Sequence, residues 1–295
     1  HVEIAGRYEF WRAALSWNRA DFYDLFGPTK RSRKGYAAKL GYDLPLIYDK
    51  PRRLDLNVDF AFYDQIDTLP NAQNVSTGFT RLITSEVGLH YTDLRRSLGA
   101  VDDEKGTNWS LVYNGNHVNG ALTPQFHGQL DLGFALPLEH ASIWLRTAGG
   151  IANGERSSTV ANFYFGGFGN NYVDDKAIKR YREFGSFPGF AIDEISAQKF
   201  VRELVEFNAP PHVFESAGTP GLHLRWLRPS LFAAGLWSDP GNQALRSGYA
   251  SFGGQADLHF SILHRYDMTL SVGYAVGYSG TQRSGSEWMV SLKIM

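Results

Sequence analysis

The sequence predicts an all-β protein: a transmembrane, antiparallel up-and-down β-barrel of about twelve strands, with a long lid loop folded into its lumen. Three observations carry that expectation. Apolar and polar residues alternate along most of the chain, the period of strands with two unlike faces. Aromatic residues gather at strand ends, as a membrane-interface girdle requires. Connections are alternately long and short, as when loops leave one edge of a barrel and tight turns the other.

Taken in order, Trp11, Ala13, Leu15 and Trp17 alternate with Arg12, Ala14, Ser16 and Asn18. Tyr36, Ala38, Leu40, Tyr42, Leu44 and Leu46 share the face of a second strand, and Leu54, Leu56, Val58, Phe60 and Phe62 that of a third. The pattern loosens at 79–92 (Ile83, Val87, Leu89, Tyr91) and is short at 107–115 (Trp109, Leu111, Tyr113). Along 124–136, Phe126, Leu130, Leu132 and Phe134 oppose His127, Gln129 and Asp131. Strands follow at 140–152, at 195–208 and 221–237 with imperfect parity, and at 248–263. The cleanest alternation is 266–279, and Trp288, Val290, Leu292 and Ile294 end the chain. Connections at 19–33, 64–78 and 153–194 are long; those near 47–52, 137–139 and 264–266 are short. No composition shift divides residues 1–295, which read as one domain with a lid at about 153–194.

Periodicity leaves two solutions. A soluble sandwich or lipocalin-like barrel buries the apolar face, whereas a membrane barrel turns it to lipid. The girdle, the strands of about twelve residues and the asymmetric connections favour the membrane. An even strand count then places both termini on the periplasmic, short-turn side of a bacterial outer membrane.

Composition narrows function. A formal net charge of −1 leaves no electrostatic footprint for nucleic acid. The absence of cysteine excludes disulfides and thiolate metal sites. No apolar run is long enough for a transmembrane helix. Zincin, nucleophile-elbow, Walker and dinucleotide motifs are missing, so neither enzyme activity, cofactor nor metal is expected. His127 with Asp131, and Asp257 with His259, fit a catalytic or metal pair or, more simply, hydrogen-bonded lumen groups. The row Asp55, Asn57 and Asp59 fits a cation-preferring pore or ordinary lumen polarity. An outer-membrane hydrolase is a further reading, without a nucleophile to name.

The long connection holds the most distinctive residues. Phe163-Tyr164-Phe165-Gly166-Gly167 leads into a charged stretch containing Asp174, Asp175, Lys176, Lys179, Arg180, Arg182 and Glu183. Then come Phe187-Pro188-Gly189-Phe190 and a strand ending Leu204-Val205-Glu206-Phe207. This arrangement resembles the C-terminal barrel of the BamA/TamA-like superfamily, also called the bacterial surface antigen family. The resemblance covers about residues 160–295, and the first half by strand pattern only. It implies that Phe163, Phe165, Gly166 and Gly167 precede the lid, and that Phe187, Pro188, Gly189 and Phe190 form its tip. The family's tip arginine falls on Pro188, and its wall aspartate on Ala233 in Leu231-Phe232-Ala233-Ala234-Gly235, so both halves of the family's ion pair are replaced. On this alignment Leu231, Ala233 and Gly235 face the lid, and Arg182 is the candidate substitute cation.

The resemblance further implies insertion or translocation of a polypeptide or lipid substrate, with outer-membrane lipid and lipopolysaccharide as surroundings. A seam is expected between a first strand at Trp11, Leu15 and Trp17 and a last at Trp288, Val290 and Leu292. A passive plugged pore or membrane anchor is the alternative. The family's usual barrel has sixteen strands behind periplasmic modules. The shorter pattern here fits either a reduced barrel or the tail of a longer chain.

Overall fold

The computed structural model of the chain describes residues 2–17, 35–66, 79–168 and 178–294. The first half is a meander: β1 (Val2–Tyr8), β2 (Trp11–Trp17), β3 (Tyr36–Asp49), β4 (Arg52–Asp64), β5 (Leu82–Arg95), β6 (Lys105–Val118), β7 (Ala121–Ala135) and β8 (Ser142–Ala152). Between β8 and the next wall strand lie two three-residue strands, β9 (Phe163–Phe165) and β10 (Ile195–Ala197), paired only with each other. The wall resumes with β11 (Lys199–Asn208). Two-residue strands β12 (His212–Val213) and β13 (Gly218–Thr219) precede β14 (Leu222–Ser238), β15 (Ser247–Ile262), β16 (Tyr266–Ser279) and β17 (Gln282–Ile294). Among the described residues, thirteen strands therefore stand in one antiparallel row running β1 to β8, β11, then β14 to β17. Helical geometry among the described residues is confined to two single 3-10 turns, Thr159–Ala161 and Arg180–Arg182.

Local chemistry explains the hairpins. Asn119 and Gly120 both take positive φ (51° and 82°), the twist a two-residue turn needs to return a strand antiparallel. Turns at 9–10, 50–51 and 263–265 lie on one edge of the sheet, and the 153–198 connection on the other. The long connections expected at 19–33 and 64–78 fall largely outside the described residues.

The two faces are chemically inverted relative to a soluble sheet. Leu15, Phe60, Leu111, Phe134, Leu231, Phe252 and Trp288 are exposed on the outer face. The inner face buries Arg228, Glu206, Asn208, Ser251, Asp257 and Thr269. What fills the concavity is the 153–198 connection itself. Its Phe163, Phe165, Phe168, Phe187 and Phe190 pack with Phe200 and Leu204 of β11, Phe232 and Leu236 of β14, Ala275 of β16 and Met289 of β17. Burial of such side chains stabilises by roughly 1.5–3 kcal/mol each. A second cluster joins Val160 and Tyr164 to Ala37, Tyr63, Leu82 and Val118 of β3 to β6. One loop thus touches strands from β3 to β17, so the sheet curls around it.

Four expectations are corrected. The row holds thirteen strands rather than about twelve, because Val2–Tyr8 pairs with Trp11–Trp17 in full register. The edge is therefore β1, while the strand carrying Trp11, Leu15 and Trp17 is paired on both sides. An odd count sets Val2 and Ile294 at opposite edges of the sheet, removing the parity argument for both termini on one side. Finally, the expected strand 195–208 is broken at Gln198. Asp239 Oδ1 accepts from the backbone N–H of both Gln198 and Lys199 (3.1 Å each) and turns the chain from the concave face of the sheet into the sheet itself.

Candidate functional site at the lid and sheet wall

The lid is seated at two places. Its tip lies against β15, β16 and β17. Ser251 Oγ donates to Pro188 O (2.6 Å), and Gly189 N donates to Glu287 Oε2 (3.2 Å). The other oxygen of Glu287 accepts from Phe168 N (3.2 Å), so one carboxylate of the edge strand gathers two lid amides. Phe187 N donates to Gly167 O (3.0 Å), tying the tip to the glycine pair, and Phe190 meets Tyr249 edge-on at 5.6 Å.

Glycine is required at two of these positions. Gly189 has φ +91°, and a Cβ there would lie 2.4 Å from Gly277 N. Gly166 has φ +155°, and its Cβ would lie 1.9 Å from Ala191 O. The receiving wall is small in turn. Any Cβ on Gly277 would lie 2.5 Å from the Phe190 ring, and one on Gly273 3.2 Å from that of Phe168.

The second seat is electrostatic. Glu206, fully buried on β11, accepts from Arg182 Nε (2.9 Å) and Nη2 (2.5 Å), Tyr181 OH (3.0 Å), Arg146 Nε (3.2 Å) and Lys179 Nζ (3.3 Å). Arg182 Nη2 also reaches Asp102 Oδ2 at 2.9 Å, in the turn between β5 and β6. Lys179 additionally donates to Asn208. Neighbouring wall groups hold the lid backbone, with Arg202 Nη2 donating to Tyr181 O (2.8 Å) and Gln255 Nε2 to Ile178 O (3.0 Å). Tyr181 stacks on Phe232 with centroids 4.3 Å apart.

These surroundings shift the lid's titrating groups. Burial, with Arg182 next to it, lowers Lys179 to about 8. Burial alone raises Asp193 to about 7, and neither of its carboxylate oxygens has a hydrogen-bond partner. Burial also opposes ionisation of Asp102, but Arg182 and Lys179 outweigh it and hold Asp102 below its ordinary value.

The structure sorts the sequence-derived residues. Phe163, Phe165, Gly166, Gly167, Phe187, Pro188, Gly189 and Phe190 come together inside the sheet, and Arg182 is a lid-holding cation. The wall motif is out of register by one. Leu231 is 61% exposed, and Ala233 and Gly235 share its outer face, while Phe232, Ala234 and Leu236 face the lid. The cause is the period of two: a one-residue shift in alignment exchanges the faces. Trp11, Leu15, Trp17, Trp288 and Val290 are all exposed. Asp174, Asp175 and Lys176 lie outside the described residues.

Neither His/Asp pair makes a mutual bond. Asp131 bonds Arg146 while His127 packs on Phe184. Asp257 accepts from Ser271 Oγ (2.7 Å), and His259 meets Thr269 Oγ1 (3.0 Å) and stacks on Trp226. In the acidic row, Asp59 pairs with Arg12, Asp55 with Arg53, and Asn57 bonds Asp43. Sequence reasoning missed the acceptors Glu206, Glu287 and Asp102. For Glu206 a signal existed: it shares strand parity with Arg202, an ionic pair of positions on the face opposite Val201 and Val205.

No protein-family model matches this chain, and no curated protein matches it.

Proposed function

We propose that this chain is an outer-membrane β-barrel of the BamA/TamA-like superfamily, whose lumen is occupied by the 153–198 lid. Its unpaired edges β1 and β17 form a seam for inserting or translocating protein or lipid substrates. The observation that carries this reading is the lid's grip on the edge strand. Glu287 holds Phe168 and Gly189, Ser291 Oγ accepts from Arg180 Nη2 (3.5 Å), and Met289 joins the lid's aromatic cluster. Moving the lid frees the inner face of the strand where pairing stops, and an unpaired edge templates new strands. The exposed apolar outer face suits lipid contact. In Arg182–Glu206 the superfamily's lid-to-wall ion pair has a counterpart built from other residues.

A plugged pore is the second reading, favoured by the lid's aromatic burial and its two separate seats. Conductance of the chain in planar bilayers, with and without residues 170–190, is to be paired with insertion of a urea-denatured small barrel into liposomes carrying each form. The proposal expects small currents that grow on deletion, and insertion that depends on the intact lid. Currents that grow on deletion, with no insertion by either form, would establish the plugged pore. Failure of both forms to enter bilayers would overturn the membrane reading itself.

A further inference from the structure

We propose that the foot of the lid carries a phosphate-binding site. A cavity of about 220 Å³ opens there between the lid, the β5–β6 turn and the wall. That is many times the roughly 10–15 Å³ needed for one water. Four cationic side chains line it, Lys179, Arg182, Arg228 and Lys293, against two carboxylates, Asp102 and Asp257. The lining is positive by two charges, and by one when Glu206, which Lys179 and Arg182 also contact, is counted, so the cavity favours an anion.

Arg228 is the residue that points to a ligand. It is 2% exposed, and its plane is fixed by two carbonyls: Nε donates to Ala209 O and Nη2 to His140 O (3.1 Å each). Nη1 is left without a hydrogen bond, its carboxylate neighbour Asp102 Oδ2 being 3.7 Å away. A buried guanidinium edge held in one orientation with free N–H groups costs stability unless something accepts from it. An oxyanion in the cavity satisfies that edge in the fork geometry arginine offers phosphate. Lys179 and Arg182 come from the lid, whereas Arg228 and Lys293 come from β14 and β17. A phosphate bound here therefore bridges lid and wall.

The test is calorimetric titration of the full chain, refolded in a zwitterionic detergent, with three probes. Inorganic phosphate supplies the free anion, dihexanoyl phosphatidic acid a lipid-borne phosphomonoester, and dihexanoyl phosphatidylcholine a net-neutral, zwitterionic phosphodiester control. Phosphate is expected to bind, and Arg228→Gln to weaken it about tenfold or more. Lys293→Gln, at the cavity's wall strand, is expected to weaken it too and serves if Arg228→Gln fails to fold. Phosphatidic acid binding at least as tightly as phosphate, with the same dependence on these residues, assigns the source to a lipid headgroup. Binding of phosphate alone assigns a soluble anion. No binding of either phosphate probe, or affinities unchanged in both variants, overturns the site.

Discussion

Arg182 and Glu206 meet inside the curled sheet, with two guanidinium nitrogens 2.9 and 2.5 Å from the carboxylate, and so fasten the lid to the strand that follows it in the chain. Breaking a buried pair from one side costs roughly 3–5 kcal/mol, because it strands the other charge. Glu206→Gln leaves Arg146, Lys179 and Arg182 facing a neutral amide and should fall within that range. Arg182→Met should cost less, since Arg146 and Lys179 remain. The double variant is expected to recover about 0.5–3 kcal/mol relative to the sum. Thermal unfolding of the four proteins measures this cycle, and strict additivity would refute the pairing.

At the tip, Gly189→Val combines a positive φ with a Cβ aimed at the β16 backbone. Strain of this kind costs of order 1–3 kcal/mol before any clash is counted. The tip is expected to leave its seat, and protease cleavage within 178–194 to accelerate. A cleavage rate equal to that of the parent would refute this seating.

Docking of the lid should be weakest near neutral pH. Asp193 is raised to about 7 when docked, against an ordinary value of 3.8. Its stabilisation is complete below about 3.8 and is lost as pH rises through 7. Lys179 is lowered to about 8 from 10.5, so its contribution is complete above 10.5 and is lost as pH falls through 8. Protease protection of the lid should therefore pass through a minimum between about 7 and 8. Asp193→Asn should flatten the acid limb alone; a profile that only falls with pH would contradict the Lys179 assignment, and one that only rises that of Asp193.

Neighbouring alanines separate the two faces. Ala234→Asp places a carboxyl against the lid, beside Leu204 and Ser251, and should loosen lid protection. Ala233→Asp places it on the outer face. Its expected effect is poorer insertion into bilayers, by less than the roughly 2–4 kcal/mol of a midplane lysine, with lid protection unchanged. Equal loss of lid protection in both variants would mean the register is wrong.

Strand positions were legible wherever both faces were chemically distinct. The alternation at 266–279 coincides with Tyr266–Ser279, and 248–263 differs from Ser247–Ile262 by one residue at each end. Legibility failed where that contrast was missing. In β1 every residue is exposed, Gly6 interrupts the row Val2, Ile4 and Tyr8, and Ala5 sits between Glu3 and Arg7 on the other face, so seven residues gave too weak a period. In β11 the inner face mixes Phe200 and Leu204 with Arg202 and Glu206, because it meets a loop that is itself both aromatic and charged. Lid residues were identifiable from composition, but their partners were not. Glu287 and Asp102 come from a distant strand and a distant turn, and only the curl of the sheet brings them to the lid.

The odd number of strands in the row has a consequence for its open edges. Each strand reverses its predecessor, so β1 and β17 run in the same direction. Direct hydrogen bonding between them would be parallel, with slanted bonds and a slightly weaker ladder than any other pair in the sheet. One extra segment placed between them, running the opposite way, restores antiparallel partners on both sides. On the proposed barrel reading, direction alone therefore favours a single guest strand between these two edges, or three, over a two-stranded hairpin.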